Sequence, residues 1–315
     1  MYLSTMVQYK LQILSKTQNI FQKALDIASG TCYIIDNKRK ELCPMKNKYV
    51  ASCSFGKDSL AMVLNLIERN APLDEVIFYD TGMEFDSIYR NRDKLIPILA
   101  QRGIQFTELK PDNPFLYDML ERPVFSKQKG NHFGYGWCGG VCRWGTTWKI
   151  KAIDTYVEGA KVNYIGIAAD EPKRLNRLVL PKNAPLFIWG MTERDALQYC
   201  YEHGWNWLEH THTQEIELYS ILDRVSCWCC ANKNRKELYN IYRYLPEYWN
   251  RLKDLQAQIE RPMKKFNNKQ YGEYGNLFQL EKVFEAESIK GDSNEQGRTA
   301  ALAAAGREGR ERALV

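Results

Sequence analysis

No window of this chain reaches the roughly 18 consecutive apolar residues that a membrane-spanning helix needs. The N-terminus, MYLSTMVQYKLQILSK, carries no apolar run followed by a small-residue cleavage site. Both absences lead us to expect a cytoplasmic protein without a membrane partner, its thiols kept reduced. Histidine is scarce, with four residues and none after His212, and no cysteine follows Cys230. No internal repeat is present.

What the chain does have is length and thiols. Its 315 residues allow one domain of about 220–250 residues with something attached. Nine cysteines in a reducing compartment read as metal ligands or catalytic thiols rather than staples. Cys32, Cys43, Cys53 and Cys200 are scattered and suit buried packing as small hydrophobes. The other five form two knots: Cys138 and Cys142 in WCGGVCRWG, then Cys227, Cys229 and Cys230 in SCWCC. C-x-x-x-C and C-x-x-C pairs on short turns can each aim two sulfurs at one point, and two pairs complete a tetrahedron. The expectation is a metal centre on Cys138, Cys142, Cys227 and Cys230.

Residues 9–28 read as an amphipathic helix. KYVASCS (48–54) reads as a buried strand, followed by a Gly turn and a helix with Leu60, Val63, Leu64 and Ile67 on one face. EVIFYD (75–80), IQFTEL (104–109) and KVNYIGIAA (161–169) are further strands. RDKLIPILAQRG reads as a helix with a Pro break, and TTWKIKAIDTYVEG as another. Thr192 with Asp195 caps a helix that Gly204 ends. Strands alternating with helices predict an α/β fold with an open, mainly parallel sheet covered on both faces. The expected organisation is an N-terminal helical segment (1–44), an α/β domain (45–233), a helical extension interrupted at Pro246 (234–287) and a disordered tail (288–315).

Ser54-Phe55-Gly56-Lys57-Asp58-Ser59 joins the first strand to its helix. Unpaired N–H groups at a helix N-terminus, two hydroxyls and a Gly that admits a ligand suit phosphate or pyrophosphate. It is not a Walker A loop, because the Lys and Ser are out of step and Ala51 stands where the first Gly belongs. An ordinary strand–helix turn is the alternative.

SFGKDS resembles the S-x-G-x-D-S pyrophosphate loop of the PP-loop superfamily, the adenine nucleotide alpha-hydrolases. Asp80-Thr81-Gly82-Met83-Glu84 resembles the D-T-G-x-E of its phosphoadenosine phosphosulfate (PAPS) reductase family. Gly166 to Arg174, GIAADEPKR, is similar to that family's G-x-R-x-x-E-S-x-R stretch, and PLFIW followed by Thr192-Glu193 to its P-L-x-x-W-T-x-x-D. The resemblance covers roughly 45–235 and implies a Rossmann-like fold that binds an adenine nucleotide, ATP with magnesium, through Ser54, Phe55, Gly56, Lys57, Asp58, Ser59, Asp80, Thr81 and Gly82. Iron–sulfur members carry a cysteine pair and, after a long gap, C-x-x-C on one 4Fe-4S cluster; here 84 residues separate Cys142 from Cys227. The likeness favours that cluster, with zinc as the alternative. The first pair departs from the family pattern, which has adjacent cysteines.

A second departure concerns the reaction. Reductases of the family attack sulfur with a C-terminal Cys that this chain lacks, unless Cys229 replaces it. Lys-Asp-Ser in the loop resembles relatives that split ATP between the alpha and beta phosphates. The leading reading is an ATP-dependent, adenylylating sulfur-transfer enzyme with a sulfur donor and an acceptor. A sulfonucleotide reductase is one alternative, and a non-enzymatic nucleotide- or nucleic-acid-binding module with structural zinc is another. Lys57 would neutralise charge on pyrophosphate, or be a solvated side chain. Asp58 would hold magnesium or cap the helix, and Arg174 would meet a second phosphate or form a surface salt bridge. The net charge is +6, and residues 122–182 hold eleven Lys/Arg against four Asp/Glu. Phe125, Phe133, Tyr135, Trp137, Trp144 and Trp148 in this stretch could stack on bases or sit in a core, the core being favoured for the tryptophans in helical register. The basic stretch suits an anionic small molecule as well as a tRNA or DNA acceptor.

Overall fold

The computed structural model describes residues 47–128, 130–138, 140–263, 266–268 and 272–289. The expected helix over 9–28 and the tail from 290 onward lie outside these. In chain order the first elements are β1 (Tyr49–Ser52), α1 (Lys57–Glu68), β2 (Glu75–Tyr79), α2 (Asp86–Gln101) and β3 (Gln105–Leu109). A hairpin follows, β4 (Pro123–Ser126) with β5 (Gly130–Phe133), then α3 (Lys149–Tyr156), β6 (Val162–Ile165), β7 (Lys182–Asn183) and α4 (Glu193–Glu202). A second hairpin, β8 (Leu208–His210) with β9 (Glu215–Glu217), precedes α5 (Arg235–Tyr244) and α6 (Pro246–Gln258). A last helix, α7, runs over 277–289.

The chain forms two compact units, both interleaved in sequence. One comprises the chain up to Tyr79, Ile88–Leu109 and Lys151–Asn206; the other comprises Asp80–Ser87, Lys110–Ile150 and the chain from Trp207 on.

The first unit holds a five-stranded sheet in the order β3-β2-β1-β6-β7, with every pairing parallel. All five residues of β2 are buried. Alternate residues face opposite sides of a sheet, so burial throughout requires cover on both faces, as expected from the α/β alternation. On one face Val50, Ile77 and Val157 form a cluster joined by Ile153 and Tyr156 of α3. α2 continues through Pro97. Its buried Leu95 and Leu99 hold the helix together where one backbone hydrogen bond is lost, so the predicted break does not occur.

Glu75 is a carboxylate buried to 2% exposure at the start of β2. Burial pushes its pKa up, but hydrogen bonds from Thr107 (2.7 Å), Tyr156 (2.7 Å) and Lys48 (3.0 Å) outweigh this and hold it below the ordinary carboxylate value. A lowered carboxylate pKa contributes stability above the unfolded value of 4.5, lost as pH falls through the folded value. Glu75→Gln is expected to cost about 1.5–3 kcal/mol at neutral pH and to flatten the acid limb of a melting-temperature profile below pH 4.5. Equal losses at every pH would leave the charge without a role.

In the second unit, α5 and α6 meet head to tail at Leu245-Pro246. Asn234 and Glu237 form a capping box at the start of α5. Tyr239, Tyr242 and Trp249 pack their rings around Phe284 of α7. These helices make the expected helical C-terminal extension.

Candidate functional site

The SFGKDS turn is built around an unusual backbone. Phe55, not Gly56, takes the left-handed conformation, with φ +58°, while Gly56 is extended at φ −75°. A non-glycine residue held there costs about 1–3 kcal/mol. The ring is fully buried and packs 5.1 Å from Phe78 of β2, which offsets the cost and fixes the turn. Ser59 Oγ accepts from Ser54 N at 3.0 Å, donates to Gly56 O at 3.1 Å and lies 3.1 Å from Ser54 Oγ. No side chain caps α1, so its first N–H groups face the turn as an anion site would need.

Lys57 is buried against two carboxylates. Its Nζ donates to Asp58 Oδ1 at 2.8 Å, Asp58 Oδ2 at 3.0 Å and Glu193 Oε2 at 2.6 Å. Burial raises the pKa of Asp58, with Lys57 acting in the opposite direction. Glu193 is positioned by the Thr192–Asp195 capping box and by its own N–H, which donates to Asp170 at 3.0 Å. The GIAAD segment approaches the same helix end. A Cβ at Gly166 would stand 2.7 Å from Ser59 N and Cα, so only glycine fits. Glu193 and Gly166 lay in quoted motifs, but their contacts with this turn had no signal in spacing. Arg174 forms an exposed ion pair with Glu171, at 2.6 Å and 2.7 Å, the salt bridge weighed as its alternative.

The Asp80–Glu84 motif lies in the second unit. Asp80 Oδ1 accepts from Gly82 N at 2.8 Å, which turns the chain at Gly82, φ +76°. Thr81 Oγ1 donates to Glu84 at 3.1 Å and sits 3.4 Å from Cys227 Sγ, which itself donates to Glu84 Oε1 at 3.6 Å. Trp228 N donates to Met83 O at 3.0 Å. The SCWCC knot is therefore attached to the D-T-G-M-E motif.

The cysteines do not form the expected metal centre. Among the described residues, no group of three or more His, Cys, Asp or Glu side chains is arranged to hold a metal ion. This corrects the 4Fe-4S cluster, its zinc alternative and the magnesium ion. Cys138 and Cys142 turn toward each other: Cys142 donates its S–H to Cys138, bringing the Cys138 thiol down to about 6 and raising its own. Backbone N–H groups of Arg143 (3.5 Å) and Gly145 (3.3 Å) complete the two sulfurs' shells. Cys227 is committed to Thr81 and Glu84, and burial raises both Cys227 and Cys229. Asp58 already holds a cation, the Lys57 ammonium. Cys53 and Cys200 are buried, as small hydrophobes would be, while Cys32 and Cys43 lie outside the described residues.

The six aromatic candidates divide sharply. Trp137 and Trp144 are buried, and Trp144 packs against Phe115, Tyr135 and Trp148. Phe125 and Phe133 are 72% and 75% exposed.

Residues 48–117 match the phosphoadenosine phosphosulfate reductase domain. The uncharacterized protein MJ0066 of Methanocaldococcus jannaschii is 26% identical over 235 residues, 69% of this chain and 44% of that protein. MJ0973 of the same organism is 26% identical over 229 residues, 70% of this chain and 51% of that one. The chain spans about half the length of the curated relatives it matches. Among solved structures, the U34-tRNA thiolase NcsA from Methanococcus maripaludis, solved with its 4Fe-4S cluster, aligns with a TM-score of 0.36 at 14% identity, over 67% of this chain and 71% of that one. Among the described residues, no helix is long and apolar enough to cross a membrane. The stretch that matches the PAPS reductase domain, residues 48–117, holds the parallel strands β1, β2 and β3.

Proposed function

We propose that this protein is an ATP-using enzyme of the PP-loop type that adenylylates an acceptor and prepares it for sulfur transfer. The observation that carries the reading is the SFGKDS turn: two serine hydroxyls, an uncapped helix N-terminus and the Lys57 ammonium converge on one short stretch. Such a turn stabilises pyrophosphate as a leaving group. An acceptor oxygen attacks the alpha phosphorus, the bond to the bridging oxygen breaks, and pyrophosphate departs on the turn. A sulfur nucleophile from the donor then displaces AMP. Asp80, Thr81 and Gly82 belong to the same reading as nucleotide contacts, and Arg174 as a second phosphate contact once it leaves Glu171.

The reductase alternative requires a reactive thiol in place of the missing C-terminal one. Burial holds the Cys229 thiol protonated, which suits a packing role better than a nucleophile. Incubation with ATP, sulfide and bulk tRNA is expected to yield AMP and pyrophosphate in equal amounts. Release of ADP and phosphate would sink the reading. Sulfite released from adenylyl sulfate or PAPS with thioredoxin would replace it with the reductase.

A further inference from the structure

The β4–β5 hairpin carries two large aromatic side chains in water. Its register pairs Pro123 with Phe133 and Phe125 with Asn131. Residues directly opposite one another share a face, so Phe125 and Phe133 stand on the same side as diagonal neighbours, roughly 7–8 Å apart at the backbone. All four residues of that side are exposed, while Val124, Ser126, Gly130 and His132 on the other side are half-buried. The ribbon is also one-signed in charge: residues 123–133 carry Lys127 and Lys129 and no Asp or Glu, within a stretch from 122 to 153 that has six Lys/Arg and no acidic residue.

An isolated two-stranded hairpin is marginal in water, yet this one is firmly anchored. Gly134 N donates to Arg122 O at 2.7 Å, Tyr135 N to Asp118 O at 3.0 Å and Gly136 N to Met119 O at 3.0 Å. The buried Asp118 carboxylate takes Arg122 at 2.7 Å, and the Arg143 guanidinium covers the Tyr135 ring at 3.8 Å. The base is rigid, and the two phenyl rings are held out from it. A core would have withdrawn them, as it withdrew Trp137 and Trp144.

We infer that this face of the β4–β5 hairpin, through Phe125 and Phe133 with the flanking Lys127, binds an unpaired segment of RNA. Exposed rings on a basic ribbon match bases separated by phosphates: stacking takes the bases, and the cations take the backbone. Duplex DNA hides its base faces, whereas RNA loops present unpaired ones. A purely apolar partner would leave the cations without a role. The inference rests on the proposed adenylylating enzyme and names its acceptor class.

The test is fluorescence anisotropy of the full chain with a labelled single-stranded RNA of about 12 nucleotides, and with a DNA duplex of equal length. Phe125→Ala/Phe133→Ala is expected to weaken RNA binding at least about tenfold, and Phe125→Trp/Phe133→Trp to preserve it. Phe125→Leu/Phe133→Leu keeps the apolar surface and should still lose the affinity. Lys127→Gln should lower the salt slope by about one. Calorimetry with ATP on the same variants should be unchanged, because neither ring belongs to the nucleotide turn. RNA affinity independent of both rings, or equal affinity for the duplex, overturns the inference. So does any dimer, seen in sedimentation, that the ring substitutions dissociate while RNA binding stays intact. Wild type that makes AMP and pyrophosphate but binds RNA without the rings loses only the acceptor. Ring-dependent RNA binding without ATP turnover removes only the reaction.

Discussion

Lys57→Met should erase the preference for ATP over AMP, lowering ATP affinity at least about tenfold and turnover by about 10²–10³. Lys57 is the cation of a trio whose other members, Asp58 and Glu193, are carboxylates at 2.8 Å and 2.6 Å. With the ammonium in place, an incoming pyrophosphate exchanges with those carboxylates for a shared counter-ion. Without it, two carboxylates flank the turn, and the beta and gamma phosphates meet repulsion with nothing to offset it. AMP, which has no beta phosphate to lose contact, should bind nearly as before. Lys57→Arg keeps the charge and should recover part of the affinity. The converse change, Glu193→Gln, relieves Lys57 of one partner and should tighten ATP binding a few-fold. Calorimetry with both nucleotides reads all three, and an undiminished ATP preference in Lys57→Met would mean the turn holds no pyrophosphate.

Gly134→Ala should be the most disruptive single change in the hairpin region. The added Cβ would run into the Met119 carbonyl oxygen and lie 2.7 Å from Leu120 Cα, with φ at +66°. Backbone cannot yield as a side-chain tip does. Overpacking of this kind costs about 1–3 kcal/mol, and the left-handed conformation adds about 1–2 kcal/mol for any residue with a Cβ. The Tyr117–Glu121 turn, the Arg122–Asp118 pair and the strand pairing share that anchor, so they should loosen together. The expected readouts are a lower melting temperature, faster amide exchange at Phe125 to Phe133, and weaker RNA binding with both rings still present. Gly130→Ala at the tip has a positive φ of +67° but nothing within 4 Å of its Cβ, so it should cost only the conformational part.

Much of the parallel sheet was legible because its strands are short apolar runs bounded by helix caps. Val50, Val76, Ile77 and Val162 are β-branched and buried, and Thr192 with Asp195 marked a helix start that the structure keeps. The hairpins were not legible. RPVFSKQKGNHF alternates weakly, and its exposed side is aromatic, which reverses the usual pattern of polar residues toward solvent. The turn at residues 54–59 was recognised by its motif, but its strained residue was not, since phenylalanine is a poor choice for positive φ. The cysteines misled for a physical reason. Spacing shows that two sulfurs can converge, whereas the direction of each Sγ depends on which donors surround it. Here Cys142 and the Arg143 N–H claim Cys138, while Thr81 and Glu84 claim Cys227.

The interleaving of the two units governs how the chain can come into being. Its path changes unit five times, at 79/80, 87/88, 109/110, 150/151 and 206/207. No contiguous fragment holds the whole of one unit without part of the other, so limited proteolysis or gene truncation cannot release one by itself. During translation, at about 5–20 residues per second, the first unit remains incomplete until Asn206 has emerged. Segments 80–87 and 110–150 must wait longer, for the chain from Trp207 onward. Through that interval Phe85, buried against the Tyr248 ring in the finished fold, stands without its partner. Synthesis therefore leaves a nascent chain with a sheet nearly formed and the Phe85 ring still uncovered, a species on which a holding chaperone would act.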